Sequence, residues 1–459
     1  MNKIYVFLFA LLWTISLPAK IQLPAVLSNQ MVLQQQTDIK LWGKATSNTW
    51  VTIKTSWNNR TFTVQAGKEG NWLVSVPTPL AGGPYEISIS DGEEIVLKDI
   101  LIGEVWFCSG QSNMSMPLQG WNGQPIEGAN EVLVKANENI PVRFFTATAK
   151  TSPTLQEDTY GEWLKPSSEN LQSVSALAYF YGQLLQETLD VPVGLVVSAF
   201  GGSKIESWLS YKAVDDIPGA LAHHSPSQLY NAMIHPFKNY TIKGFLWYQG
   251  ENNWVDPELY ARLFPELPKD FRRAWNAGEL PFYYVQIAPG PYDGVEKTTS
   301  ARIREVQMLN EKTIPNAGMV VTLDLGGLYG HPSKKKEVGH RLAYMALAKT
   351  YGRKGFGYQA PAYKSIEINK QEIIISFEYT SSRCVVPAFV NLENFEVAGA
   401  DRIFYPATAR INERTRCVVV TAEEVTHPIA VRYAYKNFTK ASLFDEYGLP
   451  VSSFRSDNW

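Results

Sequence analysis

The segment GEVWFCSGQSNMSMP, residues 103–117, places a mainly apolar run directly before a polar one. Residues 104–108 have the β-branched and aromatic character of a buried strand, and residues 109–113 are small, polar and typical of a turn. In an α/β fold such a loop lies at the carboxyl edge of the sheet, where ligands bind. A serine there can be presented as a nucleophile. Alternatively, Ser112 or Asn113 simply caps the next helix.

Composition restricts the class of protein. A chain of 459 residues exceeds one ordinary core, so we expect two or three domains. The 42 basic and 44 acidic side chains give a formal net charge of −2 without long runs of either sign, which argues against nucleic acid as a partner. Aromatic residues make up 12% of the chain; they either stack on sugar rings or fill β-sandwich cores.

The first 19 residues have the form of a secretory signal peptide. Lys3 precedes an apolar stretch from Ile4 to Leu17, and the small residue Ala19 follows. The stretch is too short for a comfortable membrane span, and an uncleaved anchor is the alternative. We therefore expect a mature protein that starts near residue 20, is secreted or periplasmic, and has no membrane association after cleavage.

The cysteines predict little cross-linking. Three cysteines are too few for a disulfide scaffold in a chain of this length. Cys384 and Cys417 both lie in β-like runs, and either they pair or they remain two separate buried thiols.

The pattern of the chain changes twice, which predicts three domains after the signal peptide of residues 1–19. Residues 20–100 contain short alternating runs (DIKLWG, WVTIKTSW, RTFTVQ, NWLVSV, YEISIS), typical of a β-sandwich. In residues 101–355, strand-like runs (GEVWFC, VPVGLVV, IKGFLWY, PFYYVQI, AGMVVTLDL) alternate with helical ones, which indicates an α/β domain with a doubly wound parallel sheet. Residues 356–459 are again β-like and predict a C-terminal all-β domain.

Four polar clusters follow apolar strands of the central domain, at residues 110–113, 201–203, 248–252 and 330–332. Together they would supply a hydroxyl, backbone N–H groups, an amide and an imidazole. These are the parts of an acyl-transfer site. The G-x-S-x-G elbow of α/β-hydrolases is not matched, because Met114 occupies the place of its second glycine, so a different type of serine hydrolase is indicated.

The combination GEVWFCSGQSNM, FGGSKIESW, LYNAMIHP with IKGFLWYQGENN, and HPSKKKEVGHRLA resembles the sialate O-acetylesterase family, a branch of the SGNH hydrolases. The segments AGADRIFYPATARI, VRYAYKN and GLPVSSFRSDNW are similar to the closing β domain of that family. The resemblance implies a flavodoxin-like three-layer catalytic domain flanked by N- and C-terminal β-sandwich domains. It also implies hydrolysis of O-acetyl esters on sugars without a metal or another cofactor.

Matched position by position, the resemblance makes Ser112 the nucleophile and its backbone N–H the first oxyanion donor. Gly202 would supply the next backbone N–H, unless the glycine serves only a tight turn. Gln249 would supply a side-chain amide, unless that amide ties two loops together.

Substrate contacts are expected from residues near these loops. The block around residues 248–252 adds Glu251 and Asn252, and Trp208 follows the second glycine block. Trp121, Trp208 and Trp254 are each either a platform for a sugar ring or part of a core.

The base must be a histidine, and the resemblance assigns it to His331, which lies at a predicted sheet edge. His223, His224 and His235 could in principle chelate a metal, but no acidic or cysteine ligand accompanies them at a usual spacing, so no metal is expected.

One position departs from the family pattern. The family carries its triad aspartate two or three residues before the histidine, where this chain has Tyr329 and Leu328. We expect a main-chain carbonyl in residues 325–330 to accept the His331 Nδ1–H, with Asp324 as the alternative third member. With no anion beside it, the pKa of His331 would not be raised, and activity would persist to lower pH than in a full triad enzyme.

The sequence therefore predicts a sialate O-acetylesterase that works through an acyl-enzyme, with an O-acetylated sugar as its partner. An acetyl xylan esterase or another carbohydrate O-acetylesterase would share the catalytic residues and differ in its pocket. A non-catalytic carbohydrate-binding protein with the same fold is the third possibility, which the presence of both Ser112 and His331 disfavours.

Overall fold

The structure is a computed structural model that describes residues 21–222, 225–379, 391–415 and 417–459. The predicted signal peptide, His223, His224 and Cys384 lie outside these ranges, so the predictions about them stay predictions. In the described ranges, no helix has both the length and the apolar character that a membrane crossing requires.

The N-terminal region consists of short strands joined by tight turns, as the alternating runs predict. Its strands are Val32–Gln34 (β1), Asp38–Lys44 (β2), Trp50–Thr55 (β3), Arg60–Gln65 (β4), Asn71–Pro77 (β5), Gly82–Ser90 (β6) and the first part of Glu94–Gly110 (β7). Strands β2 and β5 form one antiparallel pair, and β1, β3, β4 and β6 join β7 in a second sheet. Since β7 continues into the central sheet, the boundary predicted between residues 100 and 101 lies inside a single strand.

The central region alternates strands and helices. After β7 come Ser112–Ser115 (α1), Ala129–Val134 (α2), Val142–Thr146 (β8), Trp163–Leu164 (β9), Ser168–Ser173 (α3), Ala176–Leu189 (α4), Val193–Ala199 (β10), Tyr211–Asp215 (α5), Gly244–Tyr248 (β11), Pro257–Leu263 (α6), Glu266–Trp275 (α7), Phe282–Val285 (β12), Thr299–Asn310 (α8), Ala317–Val320 (β13) and Lys335–Lys349 (α9). Each of the five strand-like runs predicted for this region forms a strand.

Side chains of β7 alternate between two cores, as the period of a strand dictates. Val105 and Phe107 belong to one core, which includes residues of α6 and α7. Trp106 and Cys108 belong to the other, which includes residues of α4 and α9. The sheet therefore carries helices on both faces, which is why its strands are apolar throughout rather than alternating.

The strand order differs from the flavodoxin-like order that the resemblance implies. In flavodoxin-like sheets the first strand lies between the second and the third. Among the parallel strands of the central sheet, which exclude the antiparallel β9, β7 is the first and lies between the third, β10, and the fourth, β11, because β10 separates it from β8. The carboxyl ends of β7, β10 and β11 are consequently neighbours, and the polar loops that follow them meet at one edge.

The C-terminal region is an antiparallel sheet. Its strands are Ala362–Asn369 (β14), Glu372–Glu378 (β15), Phe395–Ala398 (β16), Phe404–Ile411 (β17), Val418–Thr421 (β18), Ala430–Tyr433 (β19) and Phe454–Arg455 (β20). They form a single path, β14-β15-β18-β17-β16-β19-β20, among the described residues, rather than the two separate sheets of a sandwich. The cause is β17, whose first half pairs with β16 and whose second half pairs with β18.

The C-terminal sheet region is bonded to the central region through buried polar side chains. The amide of Asn437 accepts from the Ser300 N–H at 2.8 Å and donates to Asp293 at 2.8 Å. Its main-chain carbonyl accepts from the Gly290 N–H at 3.0 Å. The buried Arg304 donates to Ser453 Oγ at 3.1 Å. These bonds fix the loop around residue 290 from the C-terminal side.

Candidate active site

The loop that carries Ser112 begins at a glycine the fold requires. Gly110 has φ +139°, and a Cβ there would lie 2.1 Å from the carbonyl oxygen of Tyr248 at the end of β11. The next residue, Gln111, donates its N–H to that same carbonyl at 2.9 Å. Helix α1 then begins at Ser112. The close approach of β7 and β11 thus places Ser112 at the sheet edge.

The hydroxyl of Ser112 is directed at an imidazole. Ser112 Oγ lies 2.9 Å from His331 Nε2. The residue that precedes α1 as its N-cap is Gln111, and no side chain caps the helix. The alternative that Ser112 or Asn113 simply caps this helix is therefore wrong.

The other ring nitrogen of His331 contacts Gln124, a residue that the sequence reasoning missed. His331 Nδ1 lies 2.8 Å from Gln124 Oε1. Since an amide oxygen only accepts hydrogen bonds, Nδ1 carries the proton and Nε2 accepts from the Ser112 hydroxyl. The expected acceptor, a main-chain carbonyl in residues 325–330, is not the partner.

A tight turn holds Gln124 beside the imidazole. Trp121 and Gln124 exchange two backbone hydrogen bonds, at 3.1 and 2.9 Å, and Gly123 between them has φ +72°. The Trp121 ring meets the His331 ring edge to face, with centroids 5.1 Å apart. The Asn-Gly dipeptide at 122–123 is a turn signal, but a turn signal does not reveal what the turn contacts more than 200 residues away.

Asp324 is engaged elsewhere. Its two carboxylate oxygens accept from Arg341 at 2.8 and 2.6 Å, and Arg341 also donates to the Val321 carbonyl at 2.8 Å. The planar guanidinium matches a carboxylate in this two-point geometry. Asp324 therefore fastens α9 to the end of β13, and the alternative that it completes a triad with His331 is wrong.

Asn113 is the centre of a buried polar network under the site. Its Nδ2 donates to the carboxylate of Glu251 and, at 3.0 Å, to the carbonyl of Gly330 next to His331. Its Oδ1 accepts from the ammonium of Lys335 at 2.5 Å. One amide thus joins three of the loops that form the site.

Burial shifts the pKa values of the titratable groups in and beside this network. Burial, and secondarily the positive charge of Lys335, lowers the pKa of His331 to about 4. Burial lowers the pKa of Lys335 to about 7, although the carboxylate of Glu251 opposes the shift. Burial raises the pKa of Glu251. The pKa of His331 is thus not raised, as predicted, and burial lowers it further than the absence of an aspartate alone implies.

Two backbone N–H groups are available beside Ser112 Oγ. The N–H of Ser112 belongs to the first turn of α1, which offers it no acceptor within the helix. Gly201 is close by, since a Cβ on it would lie 3.8 Å from Ser112 Cβ, and Gly202 follows with φ +68°. Across the ranges that the structure describes, neither the Ser112 N–H nor the Gly202 N–H donates to the protein. Both can therefore serve an oxyanion.

Gln249 does not present its amide to this position. The residue is fully buried, and its Nε2 donates to the Ser203 carbonyl at 3.1 Å and to Asn253 Oδ1 at 2.8 Å. These contacts match the alternative of a structural amide that ties two loops together. The neighbouring Asn252 donates one amide hydrogen to the Gly202 carbonyl. The second hydrogen of the same amide remains available to donate to a ligand.

The residues predicted to contact substrate lie in different environments. Trp208 is fully buried, donates to Ser203 Oγ at 2.8 Å and packs edge to face on Trp247, so its predicted contact with substrate is wrong. Glu251 lies in the network around Asn113. Trp254 is half-buried and packs near Tyr292, with ring centroids 6.4 Å apart.

Comparisons with known proteins identify the family of this chain. The family model described as carbohydrate esterase, sialic acid-specific acetylesterase, matches residues 102–348. The sialate O-acetylesterase of Pongo abelii is 30% identical over 402 residues, which cover 77% of this chain and 75% of that protein. The human sialate O-acetylesterase is 29% identical over 399 residues, with the same shares.

A solved structure extends the likeness to the whole fold. The crystal structure of a carbohydrate acetylesterase from Xanthomonas citri is 33% identical, with a TM-score of 0.88, and covers 96% of this chain and 100% of that one. The chain therefore belongs to the sialic acid-specific acetylesterase family of carbohydrate esterases and is a carboxylic ester hydrolase.

Proposed function

We propose that this protein removes O-acetyl groups from sugars and that an O-acetylated sialic acid is its substrate. The observation that carries the proposal is the 2.9 Å contact between Ser112 Oγ and His331 Nε2, beside two backbone N–H groups with no protein acceptor in the described ranges. The names of the relatives support the choice of sialic acid. The same contact disfavours a binding protein without activity.

In the first half of the reaction, Ser112 Oγ attacks the acetyl carbonyl while His331 Nε2 takes the hydroxyl proton. The carbonyl oxygen becomes an oxyanion, which the N–H groups of Ser112 and Gly202 stabilise. Asn252 bonds the Gly202 carbonyl with one amide hydrogen, and its second amide hydrogen would be a third donor. The tetrahedral intermediate then collapses, and the sugar oxygen leaves with the proton that His331 returns.

In the second half, water attacks the acetyl group on Ser112. His331 takes a proton from the water and returns it to Ser112 Oγ, which releases acetate. Gln124 keeps the proton of His331 on Nδ1 throughout both halves. Its neutral amide oxygen does so without the negative charge that an aspartate would bring.

We also propose where the protein is located and how its domains are divided. A signal peptide over residues 1–19 would export the protein to the periplasm or the medium. The catalytic domain would span residues 101–355 as a three-layer α/β unit between β domains of residues 20–100 and 356–459.

The test is a comparison of substrates. Purified protein is incubated separately with O-acetylated sialic acid and with acetylated xylo-oligosaccharides, and released acetate is measured, with Ser112→Ala as the blank. We expect the higher kcat/KM on the sialic acid. A clear preference for the xylo-oligosaccharides would replace the substrate and leave the mechanism, whereas no release above the blank from any ester would refute both.

A further inference from the structure

A cavity of about 380 Å³ opens beside the candidate active site. Gly202 and Asn252, which border the oxyanion position, also line this cavity. Hydroxyl and amide side chains form much of the remaining wall, including Ser225 and Gln228, together with the apolar Phe200. Polar groups interspersed with apolar surface are the lining that a sugar ring requires.

Lys204 gives this cavity a positive charge. It lies on the wall, two residues after Gly202, and is half-buried. No acidic residue lines the cavity among the residues described. Within those same ranges, the ammonium of Lys204 has no hydrogen bond or ion pair with the protein.

An uncompensated charge in a partly enclosed, polar cavity favours a ligand of opposite sign. Solvent screens the charge less there than on an open surface, so a carboxylate that enters gains more from the ammonium than it would in water. A neutral sugar can accept a hydrogen bond from the ammonium but has no charge to pair with it. The cavity thus distinguishes substrates by their charge, through a group of the sugar other than the ester that is cleaved.

We propose that Lys204 binds the carboxylate of the substrate, so that the enzyme selects O-acetylated sugar acids over neutral acetylated sugars. The inference rests on the proposed function and adds the feature that separates a sialic acid from xylan. Sialic acids and uronic acids share the carboxylate. The experiment therefore includes both.

The experiment measures a selectivity ratio. kcat/KM is determined for O-acetylated sialic acid, an acetylated galacturonide and a neutral acetylated xylo-oligosaccharide, in wild type, Lys204→Met and Lys204→Arg. We expect Lys204→Met to lower the ratio of anionic to neutral substrate by roughly ten- to hundredfold, mainly through KM, because binding of a remote carboxylate is the same in the ground and transition states. Lys204→Arg, which keeps the charge, should restore most of the ratio.

Lys212→Met is the matched control, since Lys212 is an exposed lysine on α5 that does not line this cavity. It should leave the ratio unchanged. Equal losses on all three substrates, or an unchanged ratio in Lys204→Met, would overturn the carboxylate site. If wild type cleaves the sialic acid but the ratio is unchanged, only this inference fails. If wild type cleaves the galacturonide with dependence on Lys204 but not the sialic acid, the carboxylate site holds and the proposed substrate fails.

Discussion

At the scale of single residues, the account depends first on Ser112. Ser112→Ala should abolish hydrolysis of acetyl esters, because no other hydroxyl lies within hydrogen-bond distance of His331 Nε2 in the described structure. Stability should change by no more than about 1 kcal/mol, the value of one hydrogen bond. Acetate release and urea denaturation check the two parts. Unfolding of the variant would show that Ser112 has a structural role instead.

Gln124 makes the sharpest prediction on pH. His331 must be neutral to accept the proton of Ser112, so kcat/KM falls as the pH drops through the pKa of His331, which burial lowers to about 4. Gln124→Glu places a carboxylate beside Nδ1, which favours the charged imidazolium and raises that pKa. The acidic limb of the pH–rate profile should therefore move to higher pH by one unit or more.

Gln124→Ala tests the hydrogen bond that orients His331 without adding the negative charge that Gln124→Glu brings. Losing the acceptor at Nδ1 should lower kcat roughly tenfold, the equivalent of one hydrogen bond, without moving the acidic limb upward. If both variants leave the profile and kcat as in wild type, Gln124 does not orient His331.

The Ser112–His331 contact could be predicted from the sequence through the family resemblance, because each residue lies in a motif that matches the family. The sequence could not predict Gln124, whose approach to the imidazole depends on where a turn packs. It also misplaced Gln249 and Trp208, since burial of an amide or an indole is decided by neighbours from distant segments.

At the scale of elements, Asp324 and Arg341 fasten α9 to the end of β13. Asp324→Asn keeps the shape but weakens the two-point contact. It should cost about 1–3 kcal/mol of stability and lower kcat less than tenfold. Urea denaturation and steady-state kinetics test this. A loss of kcat near 10⁴, the scale of neutralising a triad aspartate, would return Asp324 to the catalytic group.

Local periodicity accounts for most of the elements. The apolar runs of β7, β10, β11, β12 and β13 form strands because their alternate side chains face two cores. The order of the strands did not follow from periodicity, since the pairing of β10 between β7 and β8 joins residues distant in sequence. The continuity of β7 through the predicted boundary was missed because the composition changes there, while the strand continues past an irregularity at Asp99, whose φ is +57°.

At the scale of the whole molecule, the C-terminal sheet region supports the catalytic histidine indirectly. Asn437 bonds Gly290, and a Cβ on Gly290 would lie 3.4 Å from the Cα of Gly330, the residue before His331. Asn437→Ala keeps the main-chain bond to Gly290 but removes the amide that bonds Ser300 and Asp293, which leaves buried polar partners unsatisfied and should cost about 2–4 kcal/mol. Activity should be lost at a correspondingly lower temperature.

The exposed Asn369 on β14 provides the control, because Asn369→Ala removes an amide without breaking a buried contact. Equal unfolding midpoints for the two variants would mean that Asn437 does not hold the regions together.

The central claim is that Ser112 carries the acetyl group during turnover, and trapping that intermediate tests it most directly. The enzyme is mixed with excess acetyl ester, quenched in acid within the first turnovers, digested and analysed by mass spectrometry. The mechanism predicts one acetyl group on the peptide that contains Ser112, and none on that peptide in Ser112→Ala. An acetyl group on another residue, or full turnover by Ser112→Ala, would contradict it.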